Sequence, residues 1–421
     1  MESYHFYSLV QLLEDCNHLF PHELGRLKKG VNIVRVAWLH PHFQYWMGGT
    51  KFIFEVTRRL QKEVDLTLFV LTADPEIKRL FEREGLTVVS VSATSTHSLL
   101  FWSLFPYWTK RCIARLKNEV KGYDLLISSM FPMNWMVLHF PKVHIQYCFE
   151  PFAFFHDQEM IKGFSLFKRA MLRTLKVLYG GLDIQATQNA DKIMTVNQGT
   201  VRWIEKVYRR NSIPTYLGVD TDFFRKGRDE NLRLKYSGQK VILHSTDYTP
   251  LKRTDVLIRA LPEMRKEIPN LKLLITHTVD DRSGLKKIIQ LAEHLDVRNH
   301  VEILGFVENE KLPYYYSLAD VAVYPGIGSG ASAASLFVLE AMACETPVVR
   351  TSDSLEEVID GESGFLFHPN EIENMVKKIV HLLKDDDLRK RMGIQARERV
   401  KKLYNWNSVS KIILEAISTV S

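Results

Sequence analysis

The stretch Ser332–Val349 reads SAASLFVLEAMACETPVV, and it decides how the second half of the chain folds. A loop of small residues leads into an apolar helical segment with one acid, Glu340, and then into a short β-branched strand. Small residues let backbone N–H groups approach phosphates, and a helix N-terminus adds partial positive charge. The pattern therefore suits a nucleotide sugar, although an ordinary loop–helix–strand unit with Glu340 on a solvated face fits it too.

The same alternation of strands and helices runs along the whole chain. Val31–Leu39 is the first predicted strand, ending at His40-Pro41, and Thr50–Glu63 is an amphipathic helix. Such alternation predicts parallel sheets with helices on both faces, the α/β class. A length of 421 residues favours two domains.

Composition narrows the class of protein. Apolar residues make up 46% and charged residues 25%, as in a folded globular protein. The four cysteines are scattered without C-x-x-C spacing, which predicts reduced thiols in a cytoplasmic protein. We expect no signal peptide and no membrane span, since no apolar run approaches the roughly 18 residues that a span needs.

Positive charge is concentrated in the first half. Residues 1–218 hold 27 Lys and Arg against 19 Asp and Glu, whereas the rest of the chain carries a net charge of −1. A basic half suits nucleic acid, an anionic membrane surface or an anionic acceptor. No nucleic-acid-binding motif is recognisable, so the last two partners are favoured.

Two basic stretches are rich in aromatic or aliphatic residues. In Ser98–Lys117, Trp102, Phe105 and Trp108 alternate with Lys and Arg, and Gly163–Gly181 has a similar character. Each suits a helix lying in a membrane interface, with the protein then peripheral on the cytosolic face. A core helix with its basic side in water fits each stretch as well.

Two short motifs follow the first strand of each half. Gly48-Gly49 opens a helix, and paired glycines permit positive φ and close approach of backbone to a phosphate; a plain tight turn is the alternative. Lys252-Arg253 comes after the strand KVILHST. Because cations are unfavourable at a helix start, this pair indicates a diphosphate site rather than a solvated pair.

These motifs are parts of a wider resemblance to the retaining glycosyltransferases of family 4, the glycosyl transferases group 1. It rests on PNLKLLIT, VEILGFVENEKLPYYYSLADVAVYPG, LFVLEAMACETPVVRT, VIDGESGFLFHP and YNW, and more loosely on MGGTKFIFEVTRRL, ADKIMTVNQGT and YLGVDTDFF. The resemblance implies the GT-B fold: two Rossmann-like domains facing a central cleft, with a C-terminal helix that crosses back to the first domain.

From this resemblance we expect a helical appendage over 1–30, an acceptor domain over 31–215, a nucleotide-sugar domain over 216–400 and a crossover helix over 401–421. The implied activity is metal-independent transfer of a sugar, with retention, from a nucleoside-diphosphate sugar to a saccharide or lipid-linked acceptor. No cofactor is implied. A non-catalytic nucleotide-binding scaffold and a sugar-nucleotide hydrolase or epimerase remain open.

The resemblance also assigns the donor site. Lys252 matches the phosphate-binding lysine of the family, and Glu340 matches the glutamate that holds the ribose hydroxyls. The full set of expected donor-binding residues is Gly48, Gly49, Lys252, Arg253, Gly330, Ser332, Leu336, Phe337, Val338 and Glu340.

Three positions depart from the family pattern. Asp247 stands where relatives carry an arginine, Ser332 where they carry a first glutamate that contacts the transferred sugar, and Phe149 where they carry a histidine. Without the acid at Ser332, a hydrogen bond to the sugar loses its charge assistance. These departures leave the identity of the donor sugar, and activity itself, open.

The catalytic residues are the least determined part of the site. Glu150 lies in an aromatic loop where its pKa can be raised, so it is a candidate to orient an acceptor hydroxyl; pairing with a nearby base is the alternative. His156, with Asp157, is a second candidate. His40, His42 and His244 are interpreted as structural residues.

Overall fold

A computed structural model describes residues 28–29, 32–46, 48–92, 94, 96, 99–162, 164–277, 281–327, 335–352 and 357–420. The helical appendage predicted over 1–30 lies outside these residues, apart from 28–29. Those two residues form a strand, β1 (Lys28–Lys29), that pairs antiparallel with β2 (Asn32–Ile33).

The first half of the chain builds one parallel sheet. Its strands are β3 (Arg35–Phe43), β4 (Asp65–Ala73), β5 (Thr87–Ser90), β6 (Leu125–Ser128), β7 (Val143–Cys148), β8 (Lys192–Thr195) and β9 (Ile213–Pro214). They lie in the order β5-β4-β3-β6-β7-β8-β9. The helices between them are Gly48–Leu60, Pro75–Arg83, Leu99–Ser103, Phe105–Glu119, Met133–Met136, Ala153–His156, Gln158–Lys162, Leu166–Gln188 and Gln198–Tyr208.

The second half builds another parallel sheet of the same winding. Its strands are β10 (Lys240–Thr246), β11 (Leu271–His277), β12 (Val301–Gly305), β13 (Val321–Tyr324), β14 (Val348–Thr351) and β15 (Gly364–Phe367), in the order β12-β11-β10-β13-β14-β15. Its helices are Glu230–Lys235, Thr254–Glu267, Arg282–His294, Leu312–Leu318, Leu336–Ala343, Ile372–Lys384 and Asp386–Leu403, and Trp406–Ser418 ends the chain.

The winding fixes where a ligand can bind. In each sheet the strand order reverses beside the first strand, between β3 and β6 and between β10 and β13. In open parallel sheets, ligands occupy the crevice outside the carboxyl ends of the strands at such a reversal. Both halves therefore present a binding edge, and the loops that carry Gly48, Lys252 and Ser335 start there.

The first strand is longer than the sequence predicts. β3 continues through Pro41 to Phe43, whereas the neighbouring strand on one side, β6, stops opposite Leu39. Beyond that point β3 is hydrogen-bonded only to β4, and a proline that lacks an N–H is tolerated on an unpaired side.

The helix of the opening motif is buried on all sides. Every residue of Phe337–Ala343 is buried, and this helix packs among β13, β14 and the long helix Asp386–Leu403. Glu340 is the single charged residue of Leu336–Ala343. Because a buried carboxylate needs partners, the position of Glu340 in this core makes it a candidate functional residue.

The chain crosses between the two halves at two adjacent segments. The Val219 N–H donates to the Tyr404 carbonyl (2.9 Å), and Val219 and Asn405 form a bridge. The next residue, Trp406, begins the last helix, whose apolar side is buried in the core of the first half. The predicted return of the C-terminal helix is confirmed.

The aromatic residues of Ser98–Lys117 are mainly core residues, so the membrane interpretation of that stretch is not supported. Phe105 is fully buried, and Trp102 stacks on it and donates from Nε1 to the Thr96 carbonyl (2.7 Å). Phe105 also packs on Tyr179, with 4.4 Å between ring centroids. Among the described helices, none combines the length and the apolarity needed to cross a bilayer.

Replacing Gly218 by alanine is expected to destabilise the protein by about 1–3 kcal/mol, because overpacking forces neighbours to shift. A Cβ on Gly218 would lie 2.6 Å from the Trp406 ring and 2.7 Å from the Trp406 backbone nitrogen. The midpoint of urea unfolding measures the effect. Gly181→Ala is the matched control, since nothing lies within 4 Å of its Cβ position. A wild-type midpoint for Gly218→Ala would contradict this packing.

Candidate active site

A cavity of about 330 Å³ lies between the carboxyl edges of the two sheets. Residues from both halves of the chain line it, including Gly49, Lys51 and Phe149 from the first half and Lys252, Leu336 and Glu340 from the second. Most of the expected donor-site residues that the structure describes therefore meet in one cleft.

Glu340 is held by two hydrogen bonds. Tyr316 donates from its hydroxyl to Oε2 (2.7 Å), and Lys51 donates from Nζ to Oε1 (2.7 Å). The Glu340 side chain is only 8% exposed. Burial, and then the Glu340 carboxylate, raise the pKa of Tyr316 well above its usual value, so its hydroxyl stays a donor.

Lys51 joins the two halves of the protein across the cleft. It belongs to the first turn of Gly48–Leu60, whereas its partner Glu340 lies on the opposite domain. Its ammonium also lies 5.1 Å from the centre of the Phe224 ring. Lys51 was not among the site residues expected from the sequence. Its position two residues after the glycine pair was the signal that could have identified it.

Lys252 supplies the second cation of the cleft. It ends the 3₁₀ turn Pro250–Lys252 after β10, and its Nζ donates to the Tyr324 hydroxyl (3.2 Å). Burial works to lower the pKa of this amine. The Tyr324 hydroxyl and the carboxylates of Asp247 and Glu150 outweigh burial, so the pKa of Lys252 is raised and the amine stays protonated.

Asp247, at the position of the family's arginine, shapes the turn that carries Lys252. Its Oδ1 accepts hydrogen bonds from the Thr249 backbone N–H (2.9 Å) and hydroxyl (2.6 Å). This is a turn in which a side chain replaces a backbone acceptor. The departure thus serves the local fold while keeping an acid beside the cation.

Arg253 is placed differently from its neighbour. It adopts a left-handed conformation (φ 50°), and its Nη1 donates to the Pro369 carbonyl (2.6 Å). Arg253 is absent from the described residues that line the cavity. Arg253 therefore lies apart from the other expected donor-site residues, and its assignment to the donor site stays a prediction.

The glycine pair leaves room above the helix start. Gly48 and Gly49 both line the cavity, and nothing lies within 4 Å of a Cβ built on either residue. The backbone φ of Gly49 is not positive, although a glycine pair would permit a positive value. Neither packing nor φ explains a glycine at 49, so clearance for a ligand is the remaining physical reason.

The remaining donor-site residues divide into three groups. Leu336 and Phe337 line the cavity, with Phe337 against Tyr316 and Tyr324. Val338 is fully buried in the core. Gly330 and Ser332 lie outside the described residues.

The two catalytic candidates lie in different surroundings. Glu150 is half-buried, and its charge acts on Lys252 across the cleft. His156 is 7% exposed, and its Nε2 contacts Asp183 Oδ2 (2.9 Å). His156 does not appear among the cavity-lining residues that the structure describes. Glu150 is likewise absent from those lining residues, so the catalytic roles of His156 and Glu150 stay predictions.

Phe149 replaces the family's histidine by an aromatic wall. It is buried against His40, Phe52 and Tyr147 and still lines the cavity. His40 is buried, with its pKa lowered well below the usual value by burial and then by His42. Within the described parts of the chain, no group of three or more His, Cys, Asp or Glu side chains is arranged to hold a metal.

Two parallel sheets of Rossmann-like winding, a cleft between their carboxyl edges and a returning C-terminal helix define the GT-B fold, and this prediction is confirmed. Residues 227–399 match the model of the family "Glycosyl transferases group 1". The resemblance drawn from the sequence is thus confirmed for this segment.

Curated relatives match over part of their length. A GDP-mannose-dependent alpha-(1-6)-phosphatidylinositol monomannoside mannosyltransferase of Mycolicibacterium smegmatis is 29% identical over 211 residues, 48% of this chain and 54% of the relative. An N-acetyl-alpha-D-glucosaminyl L-malate synthase of Bacillus anthracis is 26% identical, over 51% of this chain and 55% of the relative. The chain spans about half the length of the curated relatives that it matches.

Among solved structures, Anabaena HepE in complex with UDP superposes with a TM-score of 0.74 and 17% identity, over 92% of this chain and 100% of the other. Sucrose-phosphate synthase from Thermosynechococcus elongatus gives a TM-score of 0.72 and 16% identity, over 92% and 98%. Similarity at this level of identity establishes the fold.

Stability is expected to fall as the pH drops from about 6.5 towards about 4, because of a histidine beneath the cleft. His244 is buried and contacts the Val323 carbonyl (2.9 Å) and the Thr254 hydroxyl (3.0 Å). Burial is the main cause that lowers its pKa from 6.5 to about 4. The unfolded chain therefore binds more protons in this window, and His244 costs about 1.4 kcal/mol at pH about 5.5.

Urea unfolding of His244→Gln at several pH values checks this expectation. The variant is expected to lose stability at neutral pH and to show a shallower pH dependence than the wild type. His294→Gln, at an exposed position, is the control and should keep the wild-type slope. Equal slopes for His244→Gln and the wild type would contradict a neutral, buried His244.

Proposed function

We propose that this protein is a retaining glycosyltransferase that moves a sugar from a nucleoside-diphosphate sugar to a saccharide or lipid-linked acceptor. The observation that carries the proposal is the joint placement of Glu340 and Lys252, a carboxylate and a cation, in one cleft between two Rossmann-like sheets. A donor of this class carries a diol and a diphosphate, which need those two kinds of partner.

Glu340 is suited to the ribose of the donor. A carboxylate can accept about four hydrogen bonds, and Glu340 uses two of them on Lys51 and Tyr316. Two acceptor positions therefore remain for a pair of ribose hydroxyls. If Glu340 binds the ribose in this way, Lys51 can keep its hydrogen bond to Glu340. The first domain and the nucleotide would then contact the same carboxylate.

Lys252 is suited to the diphosphate. Its raised pKa keeps the charge that a phosphate oxygen requires. The open space above Gly48 and Gly49 admits phosphate oxygens to the start of Gly48–Leu60, where backbone N–H groups and the helix dipole favour anions. Two opposed positive elements, one from each domain, would then enclose the leaving group.

The proposed chemistry follows from this arrangement. The bond between the anomeric carbon and the phosphate oxygen breaks, and the acceptor oxygen bonds to the same carbon on the same face. The acceptor proton passes to the leaving diphosphate, whose developing charge Lys252 stabilises. The resemblance to family 4 supports retention, and this route asks for no pair of catalytic carboxylates.

The relatives support a nucleotide-sugar donor without choosing one. The mycobacterial relative is a GDP-mannose-dependent enzyme by name, and HepE has been solved in complexes with UDP and with UDP-glucose. The cleft side of the first domain, with Phe149 and Glu150, is left for the acceptor. The half-buried position of Glu150 and the effect of its charge on Lys252 support a role in orienting an acceptor hydroxyl close to the leaving group.

Donor affinity is expected to fall about tenfold to 200-fold in Glu340→Gln and in Lys252→Met, since a charged hydrogen bond contributes about 1.5–3 kcal/mol. Calorimetric titration with GDP-mannose and UDP-glucose measures the loss. Arg253→Met is the matched control, because it removes the adjacent cation whose guanidinium contacts Pro369 instead. Equal losses in Lys252→Met and Arg253→Met would contradict the separate roles given to the two residues.

Turnover decides between the proposed function and its alternatives. We expect release of nucleoside diphosphate from one donor to depend on added acceptor, with NMR of the product showing the anomeric configuration of the donor. An inverted product would contradict retention. Equal turnover without acceptor would identify a hydrolase, and tight donor binding without any turnover would identify a scaffold.

A further inference from the structure

The helix Leu166–Gln188 of the first domain turns large apolar side chains towards solvent. Leu166 and Phe167 are 80% exposed, Val177 is 84% exposed and Leu178 is 58% exposed. With the exposed Ala170 between them, they follow the helical repeat along one face. We call these five residues the outer stripe.

The charge around the outer stripe is of one sign. Residues 160–182 contain five Lys and Arg and no Asp or Glu. Lys168, Arg173 and Lys176 are exposed on this helix. The first domain's positive charge, which the sequence locates only to residues 1–218, thus has a local concentration beside apolar side chains.

The opposite face of the helix is packed. Leu172 is buried, and Tyr179 contacts Phe105. The outer stripe is therefore distinct from the face of the helix that packs in the core, because other residues of the same helix form that face. A two-sided apolar helix needs a second apolar partner for its outer side.

A buried network fixes this helix to the loop that leads to the cleft. Asp183 accepts from Tyr208 (2.7 Å) and Asn134 (3.0 Å), and it contacts His156 (2.9 Å). His156 ends the segment that begins at Phe149 in the cavity wall. Any surface that the outer stripe touches is thereby held at a fixed position relative to the acceptor side of the cleft.

We propose that the outer stripe docks the protein on an anionic lipid bilayer surface. An interfacial helix combines an apolar face that enters the headgroup boundary with basic side chains that meet anionic lipid, and this helix has both. Residues 160–182 also offer no Asp or Glu that would repel anionic headgroups. The docking goes beyond the proposed sugar transfer and does not require turnover.

Co-sedimentation of the full chain with vesicles tests this. The vesicles are phosphatidylcholine alone, or phosphatidylcholine with about a third phosphatidylglycerol. We expect binding to the anionic vesicles only, weakening with salt as screening predicts. Phe167→Ser/Val177→Ser/Leu178→Ser and Arg173→Glu/Lys176→Glu should each bind about tenfold more weakly or worse, because apolar insertion and basic charge both contribute.

Matched controls separate the stripe from general surface effects. Leu234→Ser removes a side chain that is 73% exposed on the second domain, and Lys286→Glu/Lys287→Glu reverses two exposed charges there. Both should pellet like the wild type. Thermal melting should show that every variant is folded, since all the substituted side chains are exposed.

Four results would overturn the proposal. One is an absence of wild-type binding to anionic vesicles, and another is equal binding by the wild type and the stripe variant. A third is a wild-type dimer in light scattering that the stripe variant abolishes without any vesicle binding, because a second copy would then cover the stripe. The fourth is binding that survives in the stripe variant and disappears when residues 1–27 are deleted.

Discussion

The close packing of Trp406 on Gly218 constrains how the two halves of the chain meet beside the cleft. Both chain crossings pass this point, and a side chain at 218 would collide with the indole ring. A site assembled from two domains needs such a constraint, because its groups act only when their separation is fixed. The Lys51–Glu340 contact and the cavity lie between the two halves that this packing joins.

Each of the two charged residues Glu340 and Lys252 in the cleft lies close to hydrogen-bonding or oppositely charged partners. Glu340 is shared between Tyr316 and Lys51, and Lys252 is balanced by Tyr324 and nearby acids. Groups so arranged keep their charges without reorganising, which is how preorganised sites favour charge that develops during a reaction. Asp247 stands where the family pattern has an arginine. Its carboxylate helps to keep Lys252 charged, and it stabilises the turn that carries this lysine.

The sequence predicts the α/β class and the two charged residues of the cleft from local patterns of residues, and it predicts the returning helix through the resemblance to the family. It misses Lys51, because the partner of this residue is 289 positions away and the helix resembles any amphipathic surface helix. It groups Arg253 with Lys252, although the left-handed backbone at Arg253 sends the two side chains to different places. It cannot separate the core aromatics Trp102 and Phe105 from the exposed Phe167, since only packing distinguishes them.

The shared core of the first domain also orders events during synthesis. Trp406, Ile413 and Ile417 fill a groove beside Phe52 and Val56, so that domain lacks part of its interior until the last helix has been made. The ribosome adds about 5–20 residues per second, so the roughly 200 residues between β9 and the last helix take on the order of 10–40 s. Meanwhile the second domain emerges as one uninterrupted segment. The half made first therefore completes its core only after the second half has been made, and its groove stays open during that interval.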